Sequence, residues 1–270
     1  MKIAVIGTGN MGSAIIRAIL KMKSKGISLF AWDKNNTVLK NIPKQVPVIA
    51  PQAWFKKKIW PDVVIIAVKP QDMGETLSQM AGQSRQRRSF NPLWISIAAG
   101  VNIKSLEKLL GSGARLCRVM PNTPAQIGEG MSAYTMNKNC KERDSKTAEI
   151  ILSSFGKCIQ VPEKHMDVVT GLSGSGPAYV YLFIESLIEG GVAAGLPYAV
   201  AKKCAVQTVL GAAAMVERSD ESPSDLKSKV TSPGGTTIAG LMALEENRFK
   251  FAVAEAVKKA TARSVELGKQ

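Results

Sequence analysis

The apolar run "KIAVIG" at residues 2 to 7 leads directly into the turn Gly7-Thr8-Gly9-Asn10-Met11-Gly12, which opens the helix-like segment "SAIIRAILKM". No other feature restricts the possible folds so far. A short run that is apolar on both faces suits a strand covered on both sides. In a G-x-G-x-x-G turn between strand and helix the glycines serve a tight turn, close approach of a pyrophosphate, and close helix–strand packing. A second strand-like run, "ISLFAWD", ends at Asp33, twenty-one residues after Gly12. That is the distance at which such units place a carboxylate on a ribose. Gly7, Thr8, Gly9, Asn10, Met11, Gly12 and Asp33 are therefore candidate contacts for a dinucleotide. Asp33 would accept from the ribose 2′-OH of NAD, whereas Lys34, Asn35 and Asn36 could receive the 2′-phosphate of NADP. The sequence leaves that choice open.

The alternation continues. "DVVIIAVKP" (62–70) and "LWISIAAG" (93–100) are strand-like, with helical segments such as "QDMGETLSQMA" and "IKSLEKLLG" between them. Strands alternating with helices predict βαβ units and a parallel sheet. Ligands of such sheets bind beyond the carboxyl ends of the strands, which brings Val68, Lys69, Pro70, Ala98, Ala99 and Gly100 towards the nicotinamide half of the cleft. Lys69 is either ligand-facing or an ordinary solvated cation. "ARLCRVMP" and "GMSAYTMN" read as two further strands and "ERDSKTAEIILSSFG" as a helix. After about residue 164 the chain turns Ala-rich and helical, in "PAYVYLFIESLIEGGVAAG", "YAVAKKCAVQTVLGAAAMVERS" and "FAVAEAVKKATARSVEL". The expected architecture is α/β: an N-terminal Rossmann-type domain over residues 1–163 and an all-α domain over 164–270. The first long helix is apolar almost all round, as expected for burial between domains or subunits.

Composition narrows the function. A chain of 270 residues with 45% hydrophobic residues can supply a full core. No window holds eighteen uninterrupted apolar residues and no cleavable leader precedes the glycine turn, so a cytoplasmic protein without membrane attachment is expected. The four cysteines lack any C-x-x-C pair and the single histidine is His165, which argues against a zinc site or a Ser-His-Asp hydrolase. No metal is expected. The net charge of +15, with the runs "FKKKIW" and "SRQRRSF", raises nucleic acid as a partner. Neither run interleaves aromatics as a stacking platform, so a solvated basic face that draws in anionic small molecules is the expectation. The basic loop at Arg85, Arg87 and Arg88 has no assigned role.

Three later motifs combine glycine, proline and hydroxyl residues. "RVMPNTP" (118–124) sets two prolines around Asn122 and Thr123, as a rigid loop offering an amide and a hydroxyl or as a plain turn. "GLSGSGPAYVY" (171–181) places Ser173 and Ser175 before Pro177, which suits the first turn of a helix. "SKVTSPGGTTIAGL" (228–241) fixes one φ at Pro233, allows positive φ at Gly234 and Gly235, and offers Thr236 or Thr237 as a cap. The last two are either ordinary capped helices or anion sites built on a helix N-terminus.

Taken in order, "VIGTGNMG", "AVKP", "SIAAGV", "RVMPNTP", "MDVVTGLSGSGPAYVY" and "PSDLKSKVTSPGGTTIAGLMALE" resemble pyrroline-5-carboxylate reductase over nearly the whole chain. The resemblance implies NAD(P)H-dependent reduction of L-1-pyrroline-5-carboxylate to L-proline, the last step of proline synthesis. NADP is the first cofactor expected and NAD the alternative. It also implies a helical dimerisation domain and a substrate site completed across the dimer. Thr237 and Ser232 would be the catalytic residues, and Ser232, Gly234, Gly235 and Thr237 would contact the substrate, the backbone amides at the carboxylate and the Thr237 hydroxyl at the ring nitrogen. Asn122 and Ser175 are further substrate-binding candidates. A β-hydroxyacid dehydrogenase would instead carry a lysine in "GSGPAYVYLFIESL", and none is there.

Overall fold

The computed structural model describes residues 1–22, 26–56, 59–84 and 90–268. The chain forms two compact units, one of Met1–Ser175 with Lys259–Gln270, the other of Gly176–Lys258. The basic loop at Arg85, Arg87 and Arg88 and the central lysines of "FKKKIW" lie outside the described residues.

The first unit is built on a seven-stranded sheet of order β2-β1-β3-β4-β5-β6-β7. The strands are β1 (Lys2–Ile6), β2 (Ser28–Trp32), β3 (Val63–Ile66), β4 (Leu93–Ser96), β5 (Arg115–Met120), β6 (Gly130–Met136) and β7 (Gly156–Gln160). Around them lie α1 (Asn10–Lys21), α2 (Asn36–Leu39), α3 (Pro51–Lys56), α4 (Pro70–Ser84), α5 (Ile103–Leu110), α6 (Glu142–Leu152) and α7 (Met166–Val169). Alternate residues of β1 feed opposite cores. Ile3 and Val5 pack with Ile15, Ile16, Ala148 and Ile151, which come from α1 and α6. Ala4 and Ile6 pack with Trp54, Met73, Leu77 and Leu106, from α3, α4 and α5. Each large apolar side chain taken fully out of water contributes about 1.5–3 kcal/mol, so a run apolar on both faces is what a doubly covered sheet requires.

β1 to β5 run parallel, as the alternation predicts. β6 is antiparallel to β5, and β7 is parallel to β6. A parallel return needs a crossover of about a dozen or more residues. The β5–β6 connection holds only the 3₁₀ turn Thr123–Ile127, which brings the chain straight back. Sequence reasoning missed β7, "GKCIQ", altogether.

The second unit is all-helical: α8 (Gly176–Ala193), α9 (Tyr198–Arg218), α10 (Pro223–Lys229), α11 (Thr236–Glu246) and most of α12 (Phe249–Leu267). α8 and α9 form a hairpin closed at Gly195, whose φ of 99° suits glycine. Its buried apolar core amounts to Ile188, Ala201 and Ala205, with Ile184 packed alongside. By length and mean hydropathy (1.3) α9 meets the requirement for a membrane-crossing helix. Lys202 and Lys203 interrupt it near its start, and Ala201 and Ala205 face the α8 side of the hairpin core. The last turns of α12 count with the first unit, where Ser264 Oγ donates to Asp167 Oδ1 at 2.8 Å.

Candidate active site

The strand order reverses beside β1, since β2 lies on one side of it and β3 on the other. The carboxyl ends of β1 and β3 at such a point form the ligand crevice of an open α/β sheet. The glycine turn sits there, and its glycines divide the work. Gly7 has φ +92°, and a Cβ on it would lie 2.6 Å from the Ala67 and Val68 backbone. A Cβ on Gly12 would lie 2.0 Å from the Gly7 carbonyl oxygen, so helix and strand meet there with no room for a side chain. Around Gly9 the space where a Cβ would point is open to 4 Å. Gly9 is also the N-cap of α1, with no side-chain cap and no acidic residue in the first turn. The first-turn amides of α1 thus face an open space with positive dipole character, which fits the pyrophosphate of a dinucleotide.

Asp33, just past β2, does more than wait for a ribose. Its Oδ2 accepts from the Thr8 amide at 2.6 Å and from Thr8 Oγ1 at 3.2 Å, and its Oδ1 accepts from the Asn35 amide at 2.9 Å. The carboxylate therefore clamps the glycine turn to the end of β2. Thr8 is buried by the same contacts, and its carbonyl accepts from Ser13 Oγ. Lys34 is exposed and pairs with Asp72 of α4 at 2.6 Å. This hydrogen bond, with the surrounding carboxylates, holds the lysine pKa above its ordinary value. Val68, Lys69 and Pro70 follow β3 and open α4, and Ala98, Ala99 and Gly100 follow β4. Lys69 and Ala99 are exposed, Ala98 is buried, and Gly100 takes φ +76°.

At the end of β5 the structure joins two of the motifs. The Asn122 side chain accepts from the Met131 amide at 2.8 Å and donates to the Ser173 carbonyl at 3.2 Å. "RVMPNTP" and "GLSGSGP" are therefore neighbours, and the Asn122 amide is engaged at both ends. Ser175 follows a π-helical turn, Thr170–Gly174, and its amide reaches back to the Thr170 carbonyl at 2.9 Å. Arg118 was missed. It is 6% exposed and contacts Glu163 at 3.4 Å and Asp167 at 3.6 Å. Glu163 in turn accepts from the Ile103 amide at the start of α5. The signal was a second arginine, Arg118, placed between Cys117 and Val119 in the strand "RLCRVM" that Arg115 opens.

The "SPGG" segment belongs to the second unit, between α10 and α11. Gly234 takes φ +67° and the Gly235 amide donates to the Ser232 carbonyl, closing a tight turn. The expectation that Thr236 or Thr237 caps the helix is corrected. The N-cap is Gly235, in extended conformation at φ −80°, and no side chain caps it. Both threonines lie inside α11, where their own backbone is already helical. The freedom expected of Gly235 is also of another kind, since its φ is ordinary but a Cβ would lie 2.3 Å from Ser232 Oγ. The Ser232 hydroxyl thus lies over the start of α11. The Thr231 hydroxyl is spent on the Lys227 carbonyl, whereas the Thr237 hydroxyl makes no hydrogen bond among the described residues. A groove of about 490 Å³ between α10 and α11 is lined by Lys227, Thr231, Ile238, Leu241 and Met242, and not by the four predicted substrate residues.

Both ends of the chain match known families. Residues 163–267 match the family described as pyrroline-5-carboxylate reductase dimerisation, and residues 2–100 match NADP oxidoreductase, coenzyme F420-dependent. The pyrroline-5-carboxylate reductase of Synechocystis is 40% identical over 287 aligned positions, covering 100% of this chain and 99% of that protein. The enzyme of that name from Arabidopsis thaliana is 45% identical over 76% of this chain and 73% of its own. Among solved structures, the Plasmodium falciparum pyrroline carboxylate reductase with NADP bound superposes with a TM-score of 0.86 at 36% identity, covering 99% and 98% of the two chains. The Coxiella burnetii pyrroline-5-carboxylate reductase does so with a TM-score of 0.89 at 31% identity, over 99% and 98%. With relatives this similar along its whole length, the chain belongs to the pyrroline-5-carboxylate reductase family.

Proposed function

We propose that the protein reduces L-1-pyrroline-5-carboxylate to L-proline with NADPH, or with NADH, as the last step of proline biosynthesis. The observation that carries this is the full-length likeness to reductases of that name. The glycine turn supports the cofactor assignment: Gly9 leaves room for a pyrophosphate and the α1 amides face it. Thr8, Asn10, Met11, Asp33 and Lys34 would flank the adenosine half, and Val68, Lys69, Pro70, Ala98, Ala99 and Gly100 the nicotinamide half. When bound, reduced nicotinamide supplies the hydride that ends on the imine carbon.

The chain's own part is to hold an anion and a ring nitrogen in fixed positions. The Gly234 amide, the first amides of α11 and the Ser232 hydroxyl suit the carboxylate, because no side chain of the protein already caps α11, while the Gly235 amide closes the turn onto the Ser232 carbonyl. The Thr237 hydroxyl, with no hydrogen-bond partner among the described residues, suits the ring nitrogen. The proton that ends on nitrogen can come from solvent, so the pattern needs no histidine. Ser175, after the π turn, is assigned to the same substrate. The division at residues 163 and 164 would separate cofactor binding from dimerisation and substrate binding. The functional form would be a cytoplasmic dimer or a multiple of it, in which a second copy rather than lipid covers α8 and α9.

In the test, purified protein is mixed with NADPH and pyrroline-5-carboxylate, and the fall in NADPH absorbance and the appearance of proline are followed. Stoichiometric loss of NADPH and gain of proline is the expected result. Binding of NADPH without turnover of this imine would refute the proposal.

A further inference from the structure

We infer that Asn122 is a positioning residue that stands in for a backbone donor the chain lacks at Pro177, and so fixes the Ser173–Ser175 segment. In an α-helix the carbonyl of residue i accepts from the amide of residue i+4. For Ser173 that amide would belong to residue 177, which is proline and has no N–H. Ser175 is right-handed, at φ −84° and ψ −23°, and α8 begins at the next residue. In the register of the π turn the donor to the Ser173 carbonyl would be Ala178, five residues on, but among the described residues no backbone amide outside the regular helices donates to it, and Asn122 Nδ2 does so from the β5–β6 connection at 3.2 Å.

The orientation of the Asn122 amide follows from its partners. The Met131 amide can only donate, so the atom 2.8 Å from it is Oδ1; the Ser173 carbonyl can only accept, so the atom facing it is Nδ2. Asn122 thereby joins the start of β6 to the π turn Thr170–Gly174. Single π turns inside helices are rare and frequently mark functional sites. With its amide used at both ends, Asn122 acts on the reaction through the turn that carries Ser175 rather than by touching the substrate. This rests on the proposed reduction of pyrroline-5-carboxylate and names how one part of that site is held.

Asn122→Asp keeps the acceptor for Met131 and replaces the donor with an oxygen facing the Ser173 carbonyl. Pro177→Ala restores a helical N–H to that carbonyl. The two form a double-mutant cycle. With Pro177 in place, Asn122→Asp should lower kcat with pyrroline-5-carboxylate by about tenfold while KM for NADPH stays within about twofold, as expected when an orienting hydrogen bond is removed. On top of Pro177→Ala the same change should lower kcat by less than about threefold, because Ser173 has regained a donor. Amide hydrogen exchange over residues 171–181 gives an activity-free readout. Asn122→Asp should speed it when Pro177 is present and leave it nearly unchanged when Pro177→Ala is already made. Equal effects of Asn122→Asp with and without Pro177→Ala, in kcat and in exchange, would overturn the inference, as would wild-type kinetics for Asn122→Asp alone. Should the wild-type protein fail to turn over pyrroline-5-carboxylate, the functional proposal falls by itself, and the exchange cycle still decides the role of Asn122.

Discussion

Thr237 and Asp33 separate a residue's structural work from its chemical work. Because Gly235 is the N-cap and no side chain caps α11, Thr237→Ala removes no cap. Its melting temperature should stay near wild type, without the loss of about 1 kcal/mol that deleting a capping hydroxyl brings. Its kcat/KM should fall roughly ten- to a hundredfold, since removing a polar partner from a desolvated transition state costs about 1.5–3 kcal/mol. Ser232→Ala should raise KM for the imine more than it lowers kcat, as uniform binding of the carboxylate requires. Steady-state kinetics and a melting curve on both variants check this, and wild-type kinetics for Thr237→Ala would remove the hydroxyl from the mechanism. Asp33 carries both kinds of work. Asp33→Ala should raise the NADPH/NADH ratio of kcat/KM and also lower stability, because Thr8 loses its acceptor. Asp33→Asn keeps an acceptor for Thr8 and removes the charge, so it should raise the ratio with a smaller loss of stability. An unchanged ratio in both variants would show that Asp33 serves only as the clamp.

Among the elements, the starts of α5 and α10 contrast with those of α1 and α11, while α9, which begins after Pro197, also lacks a side-chain cap. α5 is capped by Asn102, which accepts from the Ser105 amide, and α10 by Ser222 in a capping box with Asp225. α1 and α11, the two helices assigned to anions, begin at glycine with no side-chain cap. Gly9→Asp tests the contrast. Its φ of −62° is open to any residue and no atom lies within 4 Å of a new Cβ. An aspartate there should cap α1, leaving the melting temperature equal or slightly higher, while its charge repels the pyrophosphate and weakens NADPH affinity about a hundredfold or more. Calorimetric titration reads the second effect; unchanged NADPH affinity would place the cofactor elsewhere. The glycine turn, β1 to β6 and the long helices were readable in the sequence, because each has a period or a turn chemistry of its own. β7 was not, being a five-residue strand that is mostly exposed or half-buried and so lacks an apolar run. Nor was the π turn, or the meeting of Asn122 and Ser173 across fifty-one residues. Those depend on which carbonyls lack donors once the chain is folded. The capping error has the same origin, since "GGTT" allows either a glycine or a threonine as the half-helical residue.

At the level of the whole molecule, the two units differ in how they are stabilised. The sheet unit has two extensive cores, whereas the helical unit buries only Ile188, Ala201 and Ala205 as apolar core residues. Many of its large apolar side chains are exposed instead, among them Tyr181 at 59%, Leu182 at 64%, Leu210 at 59% and Phe251 at 62%. A helical unit with so small a core falls short of the conformational entropy it must overcome, and apolar exposure on this scale marks an interaction surface. Residues 163–267 match a dimerisation family, and a second copy is the partner that family describes. Stability should then depend on protomer concentration, because association draws the folded state forward by mass action. The melting temperature should rise on concentrating the protein from the nanomolar to the micromolar range, and light scattering at micromolar protein should give a dimer or a multiple of it. Leu182→Glu, on the exposed side of α8, should lower the assembly state and the activity together while the far-ultraviolet spectrum of the sheet unit persists. NADPH binding should survive this change, since the glycine turn lies in the other unit. A stable, fully active monomer at micromolar concentration would sink the proposal, and it would leave the exposed faces of α8 and α9 to be covered by something other than a second copy of this chain.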